Sequence, residues 1–206
     1  MVTRLEENKF FLVINAACKD KDISHLRANL KGLDIQVLDD QALLALQGPS
    51  AKDVIARYVD GLEDLGFMWG MQAEIEGISC YINRAGYTGE DGFEISISNS
   101  EAEKFARLLL IHKEVEAVGL GARDSLRLES GLCLYGHELS EDISPVEAGL
   151  IWSISKSRRL AGVKQGGFLG AERILEQIQT GASIKRVGLK IDGRVAAREG
   201  AELVSE

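Results

Sequence analysis

Residues 72–98 read QAEIEGISCYINRAGYTGEDGFEISIS, and this stretch decides the fold. From Phe93 to Ser98 apolar and polar residues alternate strictly, which puts Phe93, Ile95 and Ile97 on one face of a strand and turns Glu94 to the other. Before it, 72–76 and 78–84 are short strand-like runs that Glu76-Gly77 joins in a tight turn, and a polar, glycine-rich loop follows. Upstream, Ala42-Leu43-Leu44-Ala45-Leu46 is a continuous apolar run bounded by Gly48-Pro49, as suits a buried strand. Ser50-x-x-Asp53 then opens a helix carrying Val54, Ile55, Tyr58 and Val59, near the capping-box spacing with Asp in place of Glu. Downstream, Ser100-x-x-Glu103 is a better capping box for a helix burying Ala102, Phe105, Ala106 and Leu109, and Val115 to Leu120 reads as a final strand. Helices set among short strands and hairpins predict an α+β fold, with residues 42–120 close to the split βαβ, ferredoxin-like plan.

Further out, Met1 to Glu6 runs through Glu7-Asn8 into Lys9 to Ile14 as a β-hairpin already under way at the first residue. Asp22 is placed to cap a helix with Ile23, Leu26 and Leu30 at helical spacing, and Gly32 to stop it. Near the other end Arg186 to Ile191, Asp192-Gly193 and Arg194-Val195 read as strand, turn, strand. Strands entered and left mid-course give the expectation of a fragment of a longer protein, with unpaired edges.

The 206 residues carry 24 Lys+Arg against 32 Asp+Glu, a formal charge of −8, with 45% hydrophobic and 27% charged residues. That is the composition of a globular chain, and no apolar run of membrane-spanning length is present. An acidic balance without a Lys/Arg block argues against nucleic acid as a partner, because backbone binding needs clustered positive charge. Cys18, Cys80 and Cys133 are isolated from one another and no Cys/His spacing suggests a metal site.

The densest chemical signal is the segment Arg84 to Glu94. Three glycines in the seven residues 86–92 allow a tight turn or a close approach to a ligand, while Tyr87 offers a ring face and a hydroxyl. Such a loop could cradle a flat heterocycle or simply connect a hairpin; it matches neither a phosphate loop nor a dinucleotide fingerprint. Glu94 could accept hydrogen bonds from a ligand's ring N–H groups or be a solvated strand-edge acid. In Gly119 to Gly131, Arg123 and Arg127 share one face of a predicted helix with Asp124 and Glu129 as partners, a surface charge ladder being the plain alternative. Arg123 is oddly placed for a cation, since the first turn of a helix disfavours positive charge. Asn15 ends an apolar strand and Trp152 is most simply a packing aromatic; His25, His112 and His137 are read as structural or exposed.

Five blocks then carry a resemblance: residues 11–16, 42–49, 86–94, 122–129 and 131–136 recur in order and spacing. The chain resembles the aminomethyltransferase (T-protein) family of the glycine cleavage system. The resemblance implies an enzyme that takes the aminomethyl group from the lipoyl arm of the H-protein, releases ammonia and passes the methylene to tetrahydrofolate. It implies a cytoplasmic setting in bacteria or the mitochondrial matrix. It assigns Asn15, Tyr87, Glu94, Arg123 and Trp152 to the folate pocket, with Glu94 on the pterin N–H groups, Tyr87 and Trp152 as walls, and Asn15 and Arg123 as polar anchors. It also implies a division into 1–41, part of an N-terminal folate-binding domain; 42–120, the ferredoxin-like domain; 121–182, a return to the first; and 183–206, the start of a C-terminal β domain. The family's catalytic aspartate belongs to a strand preceding Met1, so the catalytic residue is unknown, and Asp39-Asp40 lies in a different block and does not replace it. Two rivals are a folate-dependent demethylase of the same superfamily and a noncatalytic folate-binding iron-sulfur assembly factor. The latter's K-G-C-Y-x-G-Q-E motif lacks its cysteine in the comparable stretch Lys164 to Glu172.

Overall fold

The alternation at Phe93 to Ser98 becomes the second strand of a four-stranded sheet in the computed structural model, which describes residues 1–194, 200–202 and 204. The sheet is built from β3 (Gln41–Gln47), β4 (Gly70–Ile75), β5 (Ile78–Asn83) and β6 (Gly92–Ser98), in the order β3-β6-β5-β4 and antiparallel throughout. Two rungs of one face read Ala42–Ile97–Cys80–Ala73 and Leu44–Ile95–Ile82–Met71, apolar from edge to edge. The Glu76-Gly77 turn takes positive φ at both residues, 49° and 75°, whose twist matches that of the flanking strands.

The α+β class stands. The ferredoxin-like expectation is met in its ingredients and revised in strand order. Residues 84–91 form a loop and no helix, so β6 folds back beside β5 and β4, β5 and β6 make a meander. β3 adds to β6, at the opposite edge from β4 and antiparallel to it, so the helix between β3 and β4 makes no parallel crossover.

Two helices cover the apolar face: α2 (Ala51–Ile55) through Ala51, Val54 and Ile55, and α3 (Ala102–Leu110) through Phe105 and Leu109. Phe93, Ile95, Ile97 and Phe105 are fully buried, each contributing about 1.5–3 kcal/mol by transfer out of water. Neither predicted capping box forms. Ser50 makes no side-chain cap bond, and a 3-10 turn over Asn99–Glu101 shifts the start of α3 so that Ser100 bonds Ser98 instead. Residues 115–119 are also not a strand, because among the described residues no segment pairs with them; Val115 packs on the core and the chain enters α4 (Leu120–Glu129). His112, after α3, is structural as expected. Arg57 can only donate, so His112 Nδ1 accepts (2.7 Å) while Nε2 meets the Tyr58 hydroxyl (2.6 Å).

The other face of the sheet is polar, with Ala45, Glu94, Asn83 and Gly70 on one rung. The N-terminal hairpin, β1 (Val2–Glu6) with β2 (Lys9–Leu12), lies against it: Asn83 Nδ2 donates to Thr3 Oγ1 (3.2 Å) and the Phe11 ring stands 5.0 Å from Tyr81. α1 (Lys19–Asn29) starts three residues before Asp22, which therefore sits in the first turn and caps nothing; Gly32 follows with φ +85°.

These elements make one compact unit, Met1–Ser130, and Gly131–Glu206 make a second. In the second, α5 (Ala171–Thr180) buries Ile174 and supplies Arg173 and Gln177 to the buried carboxylate of Glu147. Ser144 and Glu147 form the reciprocal capping pair that eluded the sequence reading: Ser144 N–H donates to Glu147 Oε2 (2.6 Å) and Glu147 N–H to Ser144 Oγ (3.2 Å). The expected strand at Arg186 to Ile191 is absent, since a strand needs a ladder and no described segment pairs there. Arg186 instead ties the chain to Glu147, Ala148 and Gly131 by hydrogen bonds of 2.8 to 3.0 Å. Val195 of the expected second strand lies outside the described residues.

The Ser144 amide, with the Ser144 hydroxyl, Gln177 and Arg173, holds the Glu147 carboxyl below its ordinary value of 4.5. A depressed carboxyl stabilises the fold above its unfolded value and stops doing so as pH falls through the folded value. Glu147→Gln is therefore expected to lower the thermal midpoint at pH 7, with the gap to wild type closing below about pH 4. Circular-dichroism melts between pH 7 and 3 check this; a gap of constant size would contradict it.

Candidate functional site

The loop 84–91 between β5 and β6 is fixed at its base by a two-pronged ion pair. Arg84 Nε and Nη2 reach Asp91 Oδ1 and Oδ2 at 2.9 and 2.7 Å, and Arg84 Nη1 donates to Leu65 O at 2.9 Å. The guanidinium holds the Asp91 carboxyl below the usual carboxylate range. Inside the loop, Gln47 Nε2 donates to Ala85 O (3.0 Å) and Phe93 O (3.2 Å), and its Oε1 accepts from Thr88 Oγ1 (3.1 Å). A Cβ on Gly86 or Gly92 would overlap that amide, which is why glycine stands at both positions. Ser130, just past α4, places its hydroxyl 2.9 Å from Thr88 O, where a side chain on Gly89 would otherwise lie.

Tyr87 projects from this loop half-buried, and the Arg123 guanidinium lies over its ring, 4.6 Å from the centroid. That contact removes the oddity of a cation in the first turn of α4, because the negative face of the ring takes the place of an anion. Arg127 is not part of a surface ladder. It is 4% exposed and paired with Asp124 at 2.8 Å, so the surface reading is corrected for Arg127, while Arg123 is exposed with its guanidinium on Tyr87.

Glu94 is half-buried on the polar face, between Ala45 and Asn83 on its rung. Among the described residues no group donates a hydrogen bond to its carboxylate, whose oxygens are not among the buried ones, so they can accept from water or from a ligand. Loop and α4 thus bring Tyr87 and Arg123 together in the first unit, and Glu94 is the third residue of the strand that the loop enters. Asn15 is exposed and engaged elsewhere: it caps the 3-10 turn Ala16–Cys18, accepting from Ala17 N–H at 3.0 Å. Trp152 belongs to the second unit, in the 3-10 turn Ile151–Ser153, and is 74% exposed, so it is not a core aromatic there.

Residues 1–158 match the GCVT N-terminal domain. The chain belongs to that family. As a GCVT-domain chain it is 44% identical to the mitochondrial aminomethyltransferase of Dictyostelium discoideum, over 97% of its own length and 53% of that protein. It is 45% identical to the mitochondrial aminomethyltransferase of Solanum tuberosum, over 94% of its length and 49% of that protein. Among solved structures it is similar to the glycine cleavage system aminomethyltransferase T from Bartonella henselae, with a TM-score of 0.77 and 42% identity, covering 88% of this chain and 49% of that one. The chain spans about half the length of the curated relatives it matches.

The residues that shape this GCVT-domain site are partly ones the sequence reading passed over. Gln47 follows the apolar run Ala42 to Leu46 and precedes Gly48-Pro49, and nothing in that pattern singles it out. Arg84 and Asp91 flank the glycine-rich loop with opposite charges, a legible sign of a closed base. Ser130 carried no signal at all.

Proposed function

We propose that this chain is the tetrahydrofolate-binding portion of an aminomethyltransferase of glycine cleavage. The observation that carries the reading is the half-buried Glu94 carboxylate, to which no described group donates, on the strand that follows the loop bearing the Tyr87 ring. A carboxylate accepts two parallel hydrogen bonds from a ring N–H and the amino group next to it, and a reduced pterin offers such a pair. Tyr87 supplies an aromatic face, held by Arg123, on which a flat ring can lie. Asn15, which the family resemblance also assigns as a polar anchor, keeps its own cap on the Ala16–Cys18 turn, and Trp152 is proposed as a ligand-contacting aromatic within the second unit. Tetrahydrofolate accepts the one-carbon unit; the work of the chain's residues is to bind it and fix its orientation, which for a bimolecular transfer supplies much of the rate.

The donor in this reading is the aminomethyl-lipoyl arm of the H-protein, with ammonia as the second product, and the setting is the mitochondrial matrix or the bacterial cytoplasm. The proposed division is 1–41 and 121–182 in one folate-binding domain, 42–120 as a second domain and 183–206 as the start of a third. Equilibrium dialysis against tetrahydrofolate tests the reading. Glu94→Gln is expected to weaken binding by about 1–3 kcal/mol, the size of a lost charged hydrogen bond. Equal affinity in wild type and variant removes Glu94 from the pocket, and no binding by either removes the reading.

A further inference from the structure

Gln47 ends β3, 38 residues before Ala85 and 46 before Phe93, yet its side chain bonds both carbonyls as well as the Thr88 hydroxyl. Both amide protons and the amide oxygen are thereby used, so the side chain is fully satisfied in one orientation. Its contacts bracket Tyr87 on either side and end one residue before Glu94. The two glycines that yield to the amide show the loop built around this side chain.

Resting on the folate reading above, the structure assigns Gln47 as a positioning residue. Without touching the pterin, it sets the separation between the Tyr87 ring and the Glu94 carboxylate to which a pterin must fit. Binding to a site already in shape avoids the ordering cost that a loose loop would impose on the ligand. A residue that merely supports β3 predicts something different: lowered stability with the affinity of the folded molecule untouched.

The test compares the full chain with Gln47→Glu, Gln47→Met and Thr88→Val. Gln47→Glu keeps the shape but turns two donors into acceptors facing carbonyls. Gln47→Met keeps the volume. Thr88→Val removes one of the three contacts without altering β3. Hydrogen exchange at pH 7 is read by mass spectrometry over residues 85–93 and over β4 and β5, and tetrahydrofolate affinity by anaerobic calorimetry at pH 8 and pH 5. Expected are exchange about tenfold faster in 85–93 with β4 and β5 unchanged, and affinity about tenfold weaker for both Gln47 variants, matching one lost buried hydrogen bond. Thr88→Val is expected to lose less. For Gln47→Glu the carbonyl oxygens of Ala85 and Phe93 disfavour the ionised carboxyl, so the deficit relative to wild type narrows at pH 5 as protonation returns one donor. A loosened loop with wild-type affinity overturns the assignment, as does unchanged exchange. If the wild-type chain binds no tetrahydrofolate while 85–93 still loosens in the variants, it is the folate reading that falls and takes the ligand half of the assignment with it.

Discussion

Phe93→Ala is expected to lower the stability of the first unit by about 3–5 kcal/mol, the range for deleting a buried aromatic ring. Phe93 is fully buried, pairs across the strand with Leu46, and shares its cluster with Val54, Ile55 and Phe105. Truncation removes transfer energy and leaves a void that helices packed on a rigid sheet cannot fill. The loss is a large part of the 5–15 kcal/mol that holds an ordinary domain together. Urea unfolding followed by circular dichroism measures it, and a cost under about 1 kcal/mol would place the ring outside the core. Because Phe93 also carries the carbonyl that Gln47 binds and precedes Glu94, the same variant is expected to lose ligand affinity when still folded.

Gly70→Ala is expected to cost about 2–3 kcal/mol, at the upper end of overpacking penalties. Gly70 faces Asn83 across the strands, and a Cβ there would meet the Tyr81 hydroxyl and, at 2.5 Å, the Asn83 amide nitrogen. Asn83 is 2% exposed and bound to Thr3, so it has nowhere to retreat. The Tyr81 hydroxyl is buried with the Asn83 amide near it but, among the described residues, makes no hydrogen bond of good geometry. Tyr81→Phe alone is therefore expected to be neutral or stabilising, since it deletes an unsatisfied polar atom. In the Gly70→Ala background it is expected to recover part of the loss, because it opens the space the new methyl needs. Thermal melts of the four proteins give the coupling, and strictly additive effects would contradict the overlap.

Both predictions rest on features legible in the sequence to different degrees. The alternation of Phe93, Ile95 and Ile97 announced the core face because period two admits no other placement for three apolar residues beside three polar ones. The hairpin at Glu76-Gly77 was equally plain from its turn residues. The loop at 84–91 was legible from its glycines, but strand order was not, because it depends on which edge β3 joins, and its pairing with β6 is a contact across about fifty residues that no local pattern announces. The strands expected at 115–120 and 186–191 have the right residue types, but a strand is a partnership and composition cannot supply the partner. The caps failed for a related reason. Ser100 has a local alternative in Ser98, whereas Ser144 and Glu147 satisfy each other with help from α5, which begins two dozen residues later. At the site, residue types alone left Glu94 and Tyr87 with two readings each, and Arg123 was flagged by its unfavourable place on the helix before the Tyr87 ring explained it.

The tyrosine loop is fastened from three directions: by Gln47 ahead of it, by its own Arg84–Asp91 clasp, and by Arg123 and Ser130 well behind it. It therefore acts as a coincidence detector for assembly. A nascent or half-folded chain, with any of these stations out of place, leaves the loop unfinished until the whole unit has closed. By the same logic any molecule that selects the finished cradle acts as a chaperone for the entire unit, raising its resistance to heat and proteolysis in step with concentration.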